Sequence, residues 1–266
     1  MTLSIVLSIL LLSILYYGSS VSADRRVIIT GAGGRTGSIV FKKLLESKIF
    51  TPIGIVRTKK SSKQLLKKGG GSESNVKIAD ITDVNALESA FIGADSLILC
   101  TSAVPQINYL SLLKVFILKL FRKTARPSFR FIPNGDPYNV DWLGAKNQID
   151  AAKKAGIKNF IFLSSMGGTQ PENFLNTIGR VDSDEKSGNI LLWKRKAEEY
   201  LIASGLTYTI IHPGGLTDKK GGVSEIVFGI NDELLKGMVC TIYMLYIYLQ
   251  WHRSDNDHVT SFKYCR

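Results

Sequence analysis

Cysteine is scarce in this 266-residue sequence: Cys100, Cys240 and Cys265 are the whole complement, and they fall in no metal-like spacing. An odd, scattered set of this kind argues against a disulfide framework and against a structural zinc site. No Asn-x-Ser/Thr sequon occurs, which disfavours an ordinary glycosylated secreted protein. There is no internal repeat, and low complexity is confined to Gly69, Gly70 and Gly71. Hydrophobic residues are 45% and charged residues 21% of the chain, a balance that excludes a disordered or collagen-like polypeptide and leaves a folded domain. Acidic side chains are outnumbered, 22 against 34 Lys and Arg, for a formal net charge of +12. Such an excess suits an anionic partner: a phosphate-bearing ligand, nucleic acid or an acidic membrane surface.

Charge is missing altogether from residues 1–23. This apolar segment reads as a leader, with Val21, Ser22 and Ala23 as the small residues before signal-peptide cleavage. The alternative is an uncleaved anchor, since 23 uncharged residues nearly span a bilayer and Arg25 and Arg26 would stay on the cytoplasmic side. At the other end, the run from Met238 to Trp251 is apolar and rich in tyrosine. At about 14 residues it falls short of the roughly 20 needed to span, so it reads as a buried strand or helix, or as a loosely packed extension. The expected division is therefore 1–23 as signal peptide or anchor, 24–236 as one domain and 237–266 as an atypical apolar tail.

Between the ends, apolar strand-like runs at 26–30, 51–57, 76–79, 96–100, 160–163 and 207–211 alternate with helical patterns at 35–47, 84–91, 142–155 and 191–203. Gly156 and Gly205 stand where the last two helices should stop. The alternation predicts an α/β fold: a Rossmann-like, doubly wound parallel sheet covered by helices, in a single domain.

The first predicted strand runs into Thr30, Gly31, Ala32, Gly33, Gly34, Arg35, Thr36 and Gly37. This is T-G-x-x-G-x-x-G placed between a strand and a helix. Gly31 permits the tight turn, Gly34 lets backbone approach a pyrophosphate, and Gly37 lets the helix pack on the strand, so that the helix N-terminus faces the phosphates. An acidic residue at the end of the second strand would select NAD(H), whereas a basic one accommodates a 2′-phosphate. Arg57 stands there, followed by Thr58, Lys59, Lys60 and Lys63, which favours NADP(H) over NAD(H). Asp80 and Ile81 fall beside the expected adenine, Asp83 reads as a helix N-cap, and Thr101, Ser102 and Ala103 would pass beneath the phosphates and ribose.

These residues resemble the atypical short-chain dehydrogenase/reductases, in particular small plant-type NAD(P)-binding proteins related to NmrA-like regulators. The resemblance also rests on Val140 to Gly144, Asn147 to Ala152, Ser165 to Gly168, Trp193 to Glu198 and Pro213 to Leu216. It implies a bound dinucleotide at Gly31, Gly34, Arg35, Thr36, Gly37, Arg57, Asp80, Ile81, Thr101, Ser102 and Ala103. The substrate or partner protein it leaves unidentified. Two departures stand out. Short-chain dehydrogenases use Tyr-x-x-x-Lys, the phenol as general acid or base and the lysine to tune it and hold the ribose; here the lysine matches Lys194, and Ile190 occupies the tyrosine position. Lys194 then either holds the cofactor or acts as the acid itself, with Ser165 or Ser164 at the family's serine position. Beyond Lys236 the sequence leaves the family pattern and reads as truncated, and His212 reads as a packed loop histidine.

Residues 107–123 form one further pattern. On a helical wheel Asn108, Ser111, Lys114, Lys119, Arg122 and Lys123 share one half, and Tyr109, Leu110, Leu113, Phe116, Ile117, Leu120 and Phe121 fill the other. The segment reads as a helix packed on its own domain, as a lid over the cofactor, or as a membrane-surface helix. No nucleic-acid-reading module accompanies the charge. The sequence supports two functions: an NADP(H)-dependent oxidoreductase on a small substrate, or a non-catalytic module that senses the NADP(H) redox state, which the loss of the tyrosine favours. A dinucleotide enzyme makes little chemical sense outside the cell, so an organelle such as a plastid, reached through the secretory route, is the expected destination.

Overall fold

In the computed structural model the described residues are 25–122 and 124–217, with 226–229, 232, 238–240 and 261–265. The expected leader and most of the expected apolar tail lie outside them.

Six strands form one wholly parallel sheet: β1 (Arg25–Thr30), β2 (Phe50–Val56), β3 (Val76–Ile78), β4 (Ser96–Leu99), β7 (Asn159–Leu163) and β8 (Tyr208–Ile211), in the order β3-β2-β1-β4-β7-β8. The chain winds outward from β1 in one direction and then, from β4, in the other. Their registers place Ile28 between Ile53 of β2 and Leu97 of β4. Side chains on a strand alternate between faces, and β1 shows it: Val27 and Ile29 enter one core and Ile28 the other. Helices α1 (Arg35–Ser47) and α2 (Lys59–Gly69) cover the first face with Phe41, Leu44 and Leu65. On the second face, α3 (Val84–Phe91), α5 (Ala145–Lys154) and α6 (Ile190–Ile202) bring Leu87, Phe91, Ile149 and Leu201. Both faces of the sheet are thus buried, which is why its strands read as continuous apolar runs rather than alternating ones.

Asp83 caps α3, its carboxylate accepting from Ala86 N at 3.0 Å. Gly156 and Gly205 follow α5 and α6 in the left-handed region, with φ of +71° and +80°, as the stop signals predict. The basic stretch after Arg57 is not among the predicted helices. It is α2, capped by Thr58, whose hydroxyl accepts from Ser61 N at 3.1 Å, and Gly69, the first of the three consecutive glycines, is its last residue. The helix expected at 142–155 starts earlier and irregularly, as a π-helical stretch at Tyr138–Gly144 that runs into α5.

Three small strand pairs complete the description. β5 (Gln106–Ile107) pairs antiparallel with β6 (Phe129–Arg130) and closes an excursion that carries α4 (Tyr109–Leu120). β9 (Gly215–Thr217) pairs in parallel with β11 (Met238–Cys240), so the start of the apolar tail is a strand. β10 (Ile226–Gly229) pairs antiparallel with β12 (Ser261–Cys265).

Candidate dinucleotide site

The glycine loop sits at the carboxyl end of β1, in the crevice where the strand order reverses. Gly31 has φ +65°, and a Cβ there would stand 2.8 Å from the backbone carbonyl of Cys100 on the neighbouring strand; both conformation and space require glycine. A Cβ at Gly37 would collide with the Gly31 carbonyl oxygen, so that glycine sets how closely α1 approaches the loop. Gly34 closes the turn by donating its N–H to Gly31 O at 2.9 Å. It is also the N-cap of α1, with no side chain capping the helix and no acidic residue in its first turn. The orphan N–H groups and the positive end of the helix dipole are thereby left to an anion. The loop fits a pyrophosphate by these features. Arg35 and Thr36 open the same helix.

Arg57 is exposed at the carboxyl end of β2, next to the α2 cap. The next loop is tied down by its own polar groups: Asp80 accepts from Thr82 N at 2.9 Å and from its hydroxyl at 2.8 Å. Ile81 is buried, and its carbonyl accepts from the Asn147 side chain at 2.9 Å. One residue along α5, the Gln148 amide donates to Thr101 Oγ1 at 3.1 Å and to Gly144 O at 2.8 Å. Two adjacent side chains of α5 thus fasten the loops after β3 and β4, both bordering the crevice. Ser102 is exposed, and Ala103 is buried behind it.

The irregular stretch before α5 contributes the group least visible in the sequence. Asp141, buried within it, accepts from Ala103 N at 3.2 Å and forms an ion pair of 2.7 Å with Lys194 Nζ, itself buried on α6. One carboxylate therefore holds both the β4 loop and the lysine of the family motif. π-Helical insertions recur at functional sites because the extra residue re-aims side chains. Ile190 is buried at the start of α6, one turn before Lys194, so no phenol occupies that place. Cys100, at the end of β4, has its thiol pushed up to about 12 by burial, against the opposing pull of the Lys194 charge; it is not a reactive thiolate.

Ser164 and Ser165 follow β7 and part company. Ser164 is buried and donates its hydroxyl to Glu198 Oε1 in a very short contact. Ser165 is half-buried, and its hydroxyl makes a long bond of 3.3 Å to Met166 O. Glu198 also takes Arg195 Nη1 at 3.0 Å and His212 Nε2 at 2.9 Å, while His212 Nδ1 lies 3.2 Å from Asp232. Burial alone would lower the His212 pKa, but the bonds to Asp232 and Glu198 outweigh it and raise it to about 9. Asp232, resisting its own burial, is held at about 2 by that same histidine. His212 is thus packed, as expected, and is a charged clamp between two carboxylates. Spacing drew attention to the glycines and Arg57, and the family resemblance to Lys194; Asp141, Gln148 and Asp232 were not singled out, because nothing local marks a buried partner distant in sequence. Among the described residues no group of His, Cys, Asp and Glu could hold a metal ion.

A family described as NAD(P)H-binding matches residues 31–241. An uncharacterized chloroplastic protein of Arabidopsis thaliana is 47% identical over 217 residues, 81% of this chain and 61% of its own; the chain therefore spans less than two thirds of that relative. Sanguinarine reductase of Eschscholzia californica is 43% identical over 219 residues, covering 79% of this chain and 76% of the enzyme. Among solved structures, an anaerobillin reductase from Escherichia coli O157:H7 superposes with a TM-score of 0.61 over 90% of this chain and 96% of its own, at 21% identity, a likeness of fold. The chain belongs to the NAD(P)H-binding Rossmann-fold proteins, among the atypical short-chain dehydrogenase/reductases.

Proposed function

We propose that the protein is an NADP(H)-dependent reductase acting on a small organic substrate. The observation that carries this reading is the buried Asp141–Lys194 pair at 2.7 Å, which joins the lysine of the family motif to the loop after β4. Bound NADPH would supply hydride. The chain's own part is to hold and orient it: orphan N–H groups of α1 for the pyrophosphate, Arg57 for the 2′-phosphate, and Lys194, anchored by Asp141, for the ribose. With Ile190 in place of a phenol, the proton falls to Ser165, whose hydroxyl makes only a long bond of 3.3 Å to Met166 O. The reductase named among the relatives supports the reaction class, and the chloroplastic relative supports a plastid location. The non-catalytic redox sensor is the second reading, favoured by Ile190 alone.

The thermal midpoint of the full chain, measured against increasing NADPH and separately NADH, tests the cofactor, since a ligand of the folded state raises it by mass action. NADPH is expected to act at about tenfold or more lower concentration than NADH, and Arg57→Asp to remove that preference, a charge-assisted contact contributing roughly 1.5–3 kcal/mol. Equal responses in the wild type would refute the role of Arg57. NADPH oxidation with carbonyl and quinone substrates then separates enzyme from sensor.

A further inference from the structure

The excursion between β5 and β6 is unlike the rest of the chain. No residue of α4 is buried. Ser111, Val115 and Leu118 are its half-covered residues, and at 100° per residue they lie together on one side. The opposite arc carries Tyr109, Leu110, Leu113, Phe116 and Leu120, exposed by 59% to 79%. The expected packing of this helix on its own domain is therefore not found. Large contiguous apolar surface of this kind marks an interaction site.

Charge identifies the partner. From residue 96 to residue 135 there is no acidic side chain, while Lys114, Lys119, Arg122, Lys123, Arg126 and Arg130 all fall within that stretch. Lys114 on one flank and Lys119 on the other border the apolar arc, where long side chains can keep their ammonium groups at headgroup level. At the carboxyl end of α4, Lys119, Arg122, Thr124, Ala125 and Arg126 line a hollow of about 690 Å³, a setting for phosphate oxygens. The excursion is closed at its base by Asn108 N to Ser128 O at 3.0 Å and by Ser128 N to Ser111 Oγ at 2.9 Å, so the helix is held in place without a core beneath it. Its 12 residues are only about 18 Å long, too short to cross a bilayer, and no described helix is long and apolar enough to do so.

We infer that α4 lies in the surface of an anionic phospholipid membrane, its apolar arc among the acyl chains and its basic hollow on lipid phosphate. A second copy of the chain, or a partner protein, would meet the apolar arc but would leave six basic groups without a stated counter-charge. Docking in this way brings the carboxyl edge of the sheet, and with it the crevice, to the lipid.

Vesicle co-sedimentation of the full chain tests the inference, comparing phosphatidylcholine alone with phosphatidylcholine containing about 30% phosphatidylglycerol, an anionic surface that attracts basic segments. The chain is expected to sediment with the anionic vesicles and much less with the neutral ones. Phe116→Asp/Leu120→Asp should lower the partition coefficient at least about tenfold, and Lys119→Glu/Arg122→Glu by a similar factor that high salt reproduces in the wild type. Both variants should keep the wild-type thermal midpoint, because every substituted side chain is exposed. Three results would overturn the inference: no sedimentation, equal sedimentation with neutral vesicles, or binding indifferent to both variants, as residues 1–23 acting alone would give. A concentration-dependent dimer abolished by Phe116→Asp/Leu120→Asp, without vesicle binding, would assign the face to a second copy instead.

Discussion

The two sides of the crevice are built from different materials. The side made by β1, the glycine loop and α1 is backbone: its contacts are N–H groups, its shape is set by the absence of Cβ atoms at Gly31 and Gly37, and it occupies one short stretch of chain. The side made by the loop after β4, the irregular helix before α5, and α6 is side chain: Asp141, Gln148 and Lys194 converge from positions up to 53 residues apart, taking Asp141 against Lys194, and all are buried, Asp141 and Lys194 as an ion pair. A backbone site depends on conformations that glycine alone reaches easily, and is robust to all but glycine substitutions. A buried ionic site depends on every charge keeping its partner.

The largest effect should come from breaking that dependence. Asp141→Asn keeps the shape but leaves the Lys194 ammonium buried without a counter-charge, and loss of one partner of such a pair costs about 3–5 kcal/mol. Urea denaturation should show it, and Asp141→Asn/Lys194→Met should recover much of the loss. If the single variant were as stable as the wild type, the two sides would not differ in the way described.

The His212 clamp sharpens the same contrast through pH. Its pKa in the folded chain is raised from 6.5 to about 9. The stability it contributes is therefore fully present below pH 6.5 and is lost as the pH rises through about 9. A loss on the order of 3 kcal/mol across that window is expected, and His212→Gln should flatten the curve. A wild-type stability constant between those pH values would remove the clamp from the account.

The smallest effect belongs to α2, which is part of neither side. Thr58→Ala deletes the cap of α2, for about 1 kcal/mol, read as a small fall in the thermal midpoint. A loss as large as that of Asp141→Asn would mean that α2 does more than flank Arg57.

How legible each side was follows from its material. The loop at Gly31 to Gly37 and the helix starts at Arg35 and Val84 were readable because glycine spacing and N-caps are local. α2 was missed although Thr58 marks its start, because Leu65 and Leu66 are its only large apolar side chains, too few to trace a periodic stripe; Leu65 is the one that is buried. The exposure of α4 could not be foreseen, since an amphipathic pattern states that a face is apolar and not what covers it. Asp141 fell just outside the helix predicted at 142–155, and nothing local marked it as the buried partner of Lys194.

That the two sides form one dinucleotide site is the central claim, and calorimetric titration of NADPH into the wild type, Gly31→Ala and Lys194→Met tests it most directly. Binding should be lost in Gly31→Ala, whose Cβ meets the Cys100 carbonyl, and weakened about tenfold or more in Lys194→Met, as expected for removal of a charged hydrogen bond. Loss in Gly31→Ala together with unchanged affinity in a folded Lys194→Met would contradict it, leaving the buried ion pair as scaffold alone.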